Sequence, residues 1–398
     1  MRETSQPVVN KVAIIGAGPG GLATAIALRK KGIDAHVYER AKELRPVGAG
    51  LGLQANGLRC LDVIQPGIVD ILKRSGCQVK RVTVKTSTGE TIRTSESTMM
   101  EKYGQPLLII WWWRLQQILA SYLPPEVIHL NHRCISFEQN ENTVITHFDN
   151  GKTAQADLLI GADGVNSRVR QTLIGDGQPR YVGSMSWRAV LNYQDELLPL
   201  NEVILMKGEQ SIVYLLNVGE GNMSWLARKL LPDSTLSSTF AEVKSRVLRE
   251  FANWMEPVRE LIAQTDPERI LEGPICDRPP LKQWSHGRVT LLGDAAHPMT
   301  PAAGQGANTT FEDAYELAEC LYNFPDLQTA LNNYDNRRIQ RTAIIQTRSA
   351  EGEKRYYQPT KQINQQSQQG FDDFRHWVYD YEPKSESRLR LWQETVAL

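Results

Sequence analysis

The feature that most constrains the fold of this chain is a glycine-rich turn near its N-terminus. The β-branched run KVAII at residues 11–15 predicts a buried strand, and a helical pattern follows over residues 22–31. Between them, Gly16, Gly18 and Gly21 give the spacing GxGxxG. In this context the glycines allow a tight turn, close approach of the backbone to a pyrophosphate, and close packing of helix on strand. The stretch therefore predicts the start of a dinucleotide-binding unit.

A carboxylate follows where such a unit binds a ribose. Residues 33–38 form the predicted second strand, and Glu39 ends it. An acid at this position accepts hydrogen bonds from an unphosphorylated ribose, so FAD and NAD both fit and the motif alone does not separate them. Arg40 follows in a glycine-rich loop, where arginines are usually only solvated charges.

Another strand, followed by a loop and a helix, is predicted near the other end of the chain. Residues 289–292 predict a short buried strand, and Asp294 follows where a carboxylate can accept hydrogen bonds from a sugar-like chain. Pro298 stiffens the loop. Three loop residues then precede a predicted helix: Gly304, Gln305 and Gly306. Two of the three lack a Cβ, so backbone amides and the positive end of the helix dipole can approach a flat or anionic ligand.

The middle of the chain repeats the pattern of a strand that ends in a carboxylate. Residues 158–160 predict a buried strand that runs into Asp163 and Gly164. Ser167 and Arg170 then stand at the start of a predicted helix.

Length and charge limit the classes of protein that fit. The chain has 398 residues, enough for two closely joined domains, and its 45 basic and 45 acidic residues cancel. Nucleic acid and anionic membrane surfaces are therefore not expected as partners. The longest apolar run, residues 107–113, is too short to span a bilayer, and residues 1–10 contain no apolar signal core, so we expect a cytoplasmic protein. The five scattered cysteines predict neither a disulfide framework nor a metal site.

In the order of its three motifs, the chain resembles the single-component FAD-dependent monooxygenases, which include salicylate and para-hydroxybenzoate hydroxylases and zeaxanthin epoxidase. The resemblance covers roughly residues 10–340. It lies in GAGPGG followed by Glu39, in GADGVNSRVR, and in LLGDAAHPMTPAAGQGAN followed by Glu312-Asp313-Ala314.

The resemblance implies an α/β fold with three parts. These are a discontinuous Rossmann-like, glutathione-reductase-like FAD-binding domain, an inserted α+β substrate domain, and a C-terminal helical tail. Their expected bounds are 10–75, 98–180 and 270–345 for the first, 76–97 and 181–269 for the second, and 346–398 for the third.

The resemblance also implies roles for the motif residues. The expected ligands of the ADP half of FAD are Gly16, Gly18, Gly21 and Glu39, and Arg40 is a further expected cofactor-binding residue. Asp294 would hold the ribityl chain, and the loop from Pro298 through Gly304, Gln305 and Gly306 would lie along the isoalloxazine. Asp163 and Gly164 would approach the pyrophosphate, with Ser167 and Arg170 completing a site that also serves the nicotinamide cofactor.

One position departs from the family. Members commonly carry a flavin-contacting arginine three residues before the leucine that corresponds to Leu115, and here that residue is Trp112 in the run Trp111-Trp112-Trp113. Either Arg114 takes the role through a shift in register, or an indole replaces a guanidinium. A third interpretation is that the tryptophans form a partly buried structural run.

The aromatic strands of residues 181–230 are expected to cover the flavin. Alternation puts Trp187 and Arg188 on opposite faces of one strand. A carboxylated aromatic substrate would be anchored by Arg188. A neutral isoprenoid would instead meet Trp187 and Tyr214. The candidate catalytic or substrate-contacting residues are thus Arg188, Tyr214 and Pro298.

The activity implied by the resemblance is reduction of FAD by NADPH or NADH, addition of O2 at flavin C4a, and transfer of oxygen from the hydroperoxide to a small aromatic or similar apolar substrate. Two alternatives remain open: an isoprenoid epoxidase, and a flavin-binding protein without turnover. The chain lacks the WxWxIP segment of flavin-dependent halogenases and the CxxC of disulfide-reducing flavoenzymes. A monomer or a homodimer is expected.

Overall fold

The computed structural model describes residues 7–193, 199–357 and 365–389. Its strands, in chain order, are β1 (Lys11–Ile15), β2 (Asp34–Tyr38), β3 (Gly50–Leu53), β4 (Cys77–Val79), β5 (Arg81–Thr86), β6 (Thr91–Glu96), β7 (Leu107–Trp111), β8 (Ile128–His129), β9 (Cys134–Gln139), β10 (Val144–Phe148), β11 (Thr153–Ala156), β12 (Leu158–Gly161), β13 (Arg180–Asn192), β14 (Glu202–Gly208), β15 (Ser211–Gly219), β16 (Asn222–Leu230), β17 (Leu271–Asp277) and β18 (Val289–Leu291).

The helices, in the same order, are α1 (Pro19–Lys30), α2 (Ala55–Ile64), α3 (Ile68–Ser75), α4 (Met99–Tyr103), α5 (Trp112–Ala120), α6 (Arg168–Leu173), α7 (Phe240–Glu250), α8 (Val258–Gln264), α9 (Gly306–Asn323), α10 (Leu327–Tyr356) and α11 (Gln365–Tyr379).

The three sequence motifs converge at one edge of a parallel sheet. Its five strands run in the order β18-β12-β1-β2-β8. The apolar runs in β1, β12 and β18 are buried, as in a sheet that is covered on both faces. Because the carboxyl ends of parallel strands lie at the same edge, the loops that begin at Gly16, Ala162 and Leu292 come together there. This edge positions the site.

A second, seven-stranded sheet runs in the order β17-β13-β16-β15-β14-β5-β6 and has one parallel pair, β14 with β5. One of its faces packs against α7 and α8, where Trp187, Trp225 and Phe251 are buried. The sheet includes Leu271–Asp277, a strand within the range 270–345 that the sequence assigned to the FAD-binding part.

The opposite face of this sheet is set by strand register. Arg188 in β13 lies opposite Leu226 in β16, and Leu226 lies opposite Tyr214 in β15. Directly paired residues point to the same side, so Arg188 and Tyr214 share a face, two strands apart. On the same side, the β3-β7-β4 sheet packs against Val190, Leu216 and neighbouring apolar residues.

The α9 and α10 helices join the two sheets. Thirteen side chains of α9 are buried among α1, α2 and α10. The 30-residue α10 crosses the expected boundary between residues 345 and 346, and its last turns reach the seven-stranded sheet through Glu353 and Tyr356. Within the described parts of the chain, no helix is both long and apolar enough to cross a membrane.

Candidate active site

A cavity of about 630 Å³ opens at the carboxyl edge of the parallel sheet. Six of the expected FAD-binding residues line it: Gly16, Gly18, Glu39, Arg40, Asp163 and Gly164. The strand ends thus bring together the N-terminal motif and the middle motif.

The glycines of the first turn are required by close backbone contacts. Gly16 has φ +110°, and a Cβ added there would lie 2.4 Å from the carbonyl oxygen of Ala162. A Cβ on Gly21 would lie 2.0 Å from the carbonyl oxygen of Gly16. Any side chain at either position would force β1, α1 and β12 apart.

Glu39 is held rigidly beside the cavity. The backbone amide of Ala17 donates to its Oε2 at 2.9 Å, and the amide of Ala41 donates to its Oε1 at 2.9 Å. Each carboxylate oxygen keeps a further lone pair, so the group can still accept hydrogen bonds from ribose hydroxyls.

Asp163 serves the protein rather than the cavity. Its carboxylate accepts hydrogen bonds from the Ser167 hydroxyl and from the backbone amides of Arg168, at 2.6 Å, and Val169, at 3.2 Å. These bonds satisfy the open N-terminus of α6. Burial raises the pKa of Asp163, although the same hydrogen bonds oppose that rise. The cavity is thus met by the backbone of Asp163 and Gly164.

Arg170 lies outside the cavity and braces the next loop. Its guanidinium is buried and pairs with Asp176 at 2.5 Å. It also donates to the carbonyl oxygens of Ala295, at 3.0 Å, and Ala296, at 2.9 Å. Arg278 shares the same carboxylate at 3.0 Å. The arginine therefore ties α6 to the turn that carries Asp294.

The Asp294 carboxylate is exposed just after the end of β18, at the same edge of the sheet, and is not among the residues that line the 630 Å³ cavity. Among the described residues, none donates a hydrogen bond to it, and its Oδ1 lies 3.8 Å from the position of a Cβ on Gly306 at the start of α9. The Asp294 side chain touches solvent, but many protein atoms lie close around it. The resulting loss of hydration of the charged form raises the pKa of Asp294. Such an unpaired acceptor fits the hydroxyls of a ligand chain.

Comparison with known families identifies this arrangement. A model of the FAD binding domain matches residues 10–349. The chain belongs to the single-component FAD-dependent monooxygenases.

Similar proteins cover most of the chain. It is 33% identical to aurachin C monooxygenase/isomerase of Stigmatella aurantiaca over 331 residues. The alignment covers 83% of this chain and 85% of the relative. The chain is 33% identical over 334 residues to a FAD-dependent urate hydroxylase of Klebsiella pneumoniae, with 83% and 86% covered. The crystal structure of Klebsiella pneumoniae HpxO complexed with FAD and uric acid superposes with a TM-score of 0.80 at 28% identity, covering 93% of each chain.

These findings confirm the predicted fold class, the FAD cofactor with NAD(P)H as donor, and the oxidoreductase activity. The residues of this monooxygenase also fit FAD physically. The glycine turn leaves no room for side chains where a pyrophosphate must approach, Glu39 offers free acceptors in the cavity, and Asp294 offers them elsewhere on the same edge of the sheet. The protein is therefore an enzyme, and the alternative of a flavin-binding protein without turnover is wrong.

The loop expected along the isoalloxazine is fixed by side chains behind it. Gln305 is buried, with its carbonyl accepting from Asn56 at 2.9 Å and its amide donating to Gln54. Gly304 and Gly306 flank it at the start of α9. Gln305 therefore holds the loop with its side chain, and only its backbone remains for a ligand.

A buried ionic network supports this loop from α9 and α10. Glu312 accepts from Arg341 at 2.8 Å and pairs with Arg338 at 2.8 Å. Asp313 accepts from Arg338 at 2.7 Å and from His297 at 2.6 Å. Glu312 and Asp313 follow the third sequence motif, whereas the arginines were not predicted from the sequence. Their spacing of three residues on one helix was the available signal.

Two further α10 residues, also missed, hold the same loop. Gln346 donates to the carbonyl of Pro298 at 3.1 Å. The Ser349 hydroxyl donates to the carbonyl of Thr300 at 2.5 Å and accepts from the amide of Ala303 at 3.1 Å. Pro298 is itself buried, so its ring contributes to the loop rather than to an open surface.

Trp112 and Arg114, the two candidates for the expected flavin-contacting position, lie in different places. Trp112 lines the cavity, with its side chain 3.0 Å from the position of a Cβ on Gly48 and 3.9 Å from one on Gly18. Arg114 lies elsewhere, paired with Glu220 at 2.8 Å. An indole thus occupies the position at which the family resemblance implied a guanidinium.

The strand register corrects one expectation about the substrate side. Trp187 and Tyr214 were expected to share a pocket for a neutral substrate, but they lie on opposite faces of the seven-stranded sheet. Trp187 packs on Phe251 and donates to Glu272 at 2.9 Å within the core under α7. Tyr214 instead shares the face of Arg188, because both are paired through Leu226.

Proposed function

We propose that this enzyme hydroxylates a planar aromatic substrate that carries a carboxylate or another anionic oxygen, and that Arg188 binds that oxygen. The observation that carries the proposal is the state of Arg188. It is largely covered by the protein on the inner face of the seven-stranded sheet, and no acceptor for its guanidinium occurs among the described residues.

The electrostatics around Arg188 favour an anionic ligand. Burial, together with the positive charge of Arg228, lowers the pKa of Arg188. Arg228 already pairs with Glu353 at 3.3 Å. The Glu353 carboxylate therefore does not serve as the counter-ion of Arg188. A buried guanidinium without a counter-ion is unfavourable, and a bidentate carboxylate relieves the cost. The substrate would supply the missing charge.

The neighbouring side chains suit a flat ring. Leu226 lies between Arg188 and Tyr214 and offers an apolar surface. Tyr214 donates to the Tyr356 hydroxyl at 2.9 Å, and Tyr356 reaches the carbonyl of Ala302 at 3.4 Å. Burial raises the pKa of Tyr214 well above its usual value, so it stays a neutral phenol. These tyrosines link the sheet to the flavin loop and restrict water between them.

The roles of the protein in the reaction follow from these contacts. When bound, FAD takes a hydride from NAD(P)H and activates O2 for oxygen transfer. Glu39 and Asp294 anchor the cofactor, and the N-terminus of α9 favours negative charge on its ring. Arg188 orients the substrate, and Leu226 and Tyr214 hold its ring toward the flavin loop.

The test compares matched acids and amides in NAD(P)H oxidation by the FAD-loaded enzyme. The panel pairs phenolic acids with their carboxamides and adds urate and quinolones. We expect Arg188→Ala to raise the apparent KM for an active acid roughly tenfold to a hundredfold, since charged hydrogen bonds contribute about 1.5–3 kcal/mol. Its effect on the amide should be small, and Arg188→Lys should restore part of the affinity. Equal effects on acid and amide would remove the proposal.

The epoxidase alternative gains no support from this face of the sheet. Trp187 and Tyr214, which were expected to meet a neutral isoprenoid together, lie on opposite faces.

A further inference from the structure

Three histidines gather beside the nucleotide cavity, at the β8 edge of the parallel sheet. His36 lies on β2, His129 on β8, and His132 in the loop that follows β8. His132 lines the cavity, together with Tyr38 of β2. Neither the sequence motifs nor the proposed hydroxylation uses these histidines.

Hydrogen bonds join two of the histidines to an acid. The Nδ1 atom of His36 lies 2.9 Å from Nε2 of His129. On the other side of its ring, Nε2 of His36 lies 3.1 Å from Oδ2 of Asp34. An ionised carboxylate only accepts hydrogen bonds, so His36 donates to Asp34 from Nε2. The bond between the two imidazoles therefore depends on how many protons the pair holds.

Aromatic packing connects this pair to the cavity. The His129 ring stacks on the Tyr38 ring, with 4.7 Å between the centroids and 16° between the planes. His132 meets Tyr38 edge-on at 5.7 Å, and Tyr38 also stacks on Phe148 at 4.9 Å. A displacement of His129 therefore reaches Tyr38 and His132, which line the cavity.

The backbone beside these histidines also holds Glu39, whose carboxylate faces the cavity. The Glu39 amide donates to the His129 carbonyl at 2.9 Å, and the His132 amide donates to the Glu39 carbonyl at 2.8 Å. β8 contains only two residues and lies at the end of the sheet order, paired with β2. Since so short an edge strand has few backbone bonds, the bond between His36 and His129 contributes directly to holding it in place.

The two imidazoles can accept one added proton without losing their bond, but not two. With both rings neutral, Nε2–H of His129 donates to the lone pair on Nδ1 of His36. When only His36 is protonated, its Nδ1–H donates to His129 instead. When both rings are protonated, two N–H groups face each other across 2.9 Å, and the bond is lost.

The charges around the pair oppose the second proton. The groups that face His129 are cationic or become so in acid: His36, His132, Lys152 and Lys11. Burial, followed by these like charges, lowers the pKa of His129. Asp34 faces His36 and shares its charge with Arg29 of α1 at 2.8 Å. Tyr38 stays a neutral phenol, because burial and the nearby Asp34 raise its pKa. Acid therefore works against the arrangement seen in the fold.

We propose that His36 and His129 are positioning residues of the FAD site and that they make FAD binding depend on pH. While the pair holds at most one added proton, it keeps β8 and the loop after it against β2, and so keeps Glu39, Tyr38 and His132 in place. A second proton breaks the bond, loosens the edge strand and weakens FAD binding. The inference concerns the cofactor alone, so it does not depend on which substrate the enzyme takes.

The test is fluorescence titration of the full-length apoprotein with FAD at about pH 7.5 and about pH 5.5, on either side of the ordinary histidine pKa. We expect the wild-type Kd to rise roughly fivefold to tenfold at the lower pH, as for the loss of about one hydrogen bond. In His129→Gln, the amide can donate to His36 or accept from it and does not titrate. Its Kd should match the wild type at the higher pH and change by less than about twofold at the lower one.

His36→Gln changes the other strand and gives an independent answer if His129→Gln does not fold. Its amide can donate to Asp34 while its carbonyl accepts from His129. The same weak pH dependence is expected. Hydrogen exchange supplies a positional measurement: at the lower pH, the amides of Glu39 and His132 should exchange faster in the wild type than in either glutamine variant.

The matched control is His147→Gln, at a partly exposed histidine of β10 that pairs with Glu138 at 3.3 Å and does not line the cavity. It should keep the wild-type pH dependence. An equal rise of Kd in the wild type and in the glutamine variants at positions 36 and 129 would overturn the proposal, because the titrating group would then lie elsewhere. A wild-type Kd that does not change between the two pH values would overturn it as well.

Discussion

Asp294 is an exposed carboxylate at the carboxyl edge of the parallel sheet, and no described residue donates a hydrogen bond to it. If it accepts hydrogen bonds from FAD, Asp294→Ala should weaken FAD binding by about 1–3 kcal/mol, or roughly 5- to 150-fold in Kd. The fold should persist, because no described residue depends on this carboxylate for a hydrogen bond. Fluorescence titration of apoprotein with FAD measures the change.

The control for this variant is Asp70→Ala, at an exposed acid on α3. It should bind FAD as the wild type does. If Asp294→Ala also retains wild-type affinity, the carboxylate is only a turn residue and its proposed role is wrong.

Trp112 lines the nucleotide cavity, where the family resemblance implied an arginine. Trp112→Arg would place a cation there. A positive charge stabilises the anionic reduced flavin more than the neutral oxidised flavin, so we expect the two-electron potential to rise by about 20–40 mV. Spectroelectrochemical titration measures it, with Trp112→Gln as the uncharged control. An equal shift of the potential in both variants would show that it comes from lost packing of Trp112 against Gly48 and not from the added charge.

For single residues, the sequence predicts the surroundings correctly where they follow from local backbone geometry. Gly16, Gly21 and Glu39 belong to one continuous turn, and their surroundings match the expected ones. The environments of Arg114 and Arg170 depend on Glu220 and Asp176, which no motif contains. A charged residue near a motif has several partners within reach, and only the fold selects one of them.

Among the elements, α10 has the largest effect on the site beyond what its sequence suggests. Its Arg338 and Arg341 neutralise the buried acids of α9, while its Ser349 holds the flavin loop. From the sequence, only a helical tail from residue 346 was expected in this region. α10 is buried along one side, because its arginines and glutamines satisfy polar groups of the loop rather than water.

This network makes stability depend on pH. Burial alone would raise the pKa values of Glu312 and Asp313, but the arginines and His297 reverse that effect, and both pKa values are lowered on folding. Their stabilising contribution is therefore fully present above the unfolded values of 4.5 and 3.8 and is lost as pH falls through the folded values. We expect Tm to fall steeply below about pH 4.5.

The matched variant for this prediction is Glu312→Gln, measured by thermal unfolding across the same range. It should lower stability by about 3–5 kcal/mol at neutral pH, since two buried arginines lose a counter-charge. It should also flatten the acid dependence. An unchanged slope in this variant would show that other carboxylates control the acid transition.

Strand alternation gave the opposite orientations of Trp187 and Arg188, and the structure confirms them. It gave no information on Tyr214, because the face of a residue on another strand depends on the register of both pairings between them.

In the whole molecule, a parallel sheet supplies the nucleotide site and a mostly antiparallel sheet covers it, with α9 and α10 joining the two. The order of three motifs was sufficient to predict the first sheet and the family. The substrate face could not be predicted to the same depth, because it is built from sheet register and from contacts with the last turns of α10.

The central claim is that this FAD-dependent monooxygenase transfers one oxygen atom to an aromatic acid. The most direct test is turnover of an active aromatic acid with NAD(P)H under isotopically labelled dioxygen, followed by mass spectrometry of the product. We predict one labelled oxygen atom in the hydroxylated ring, formed in proportion to the NAD(P)H oxidised. A product that carries oxygen from unlabelled water, or NAD(P)H oxidation that gives only hydrogen peroxide with every acid in the panel, would contradict the claim.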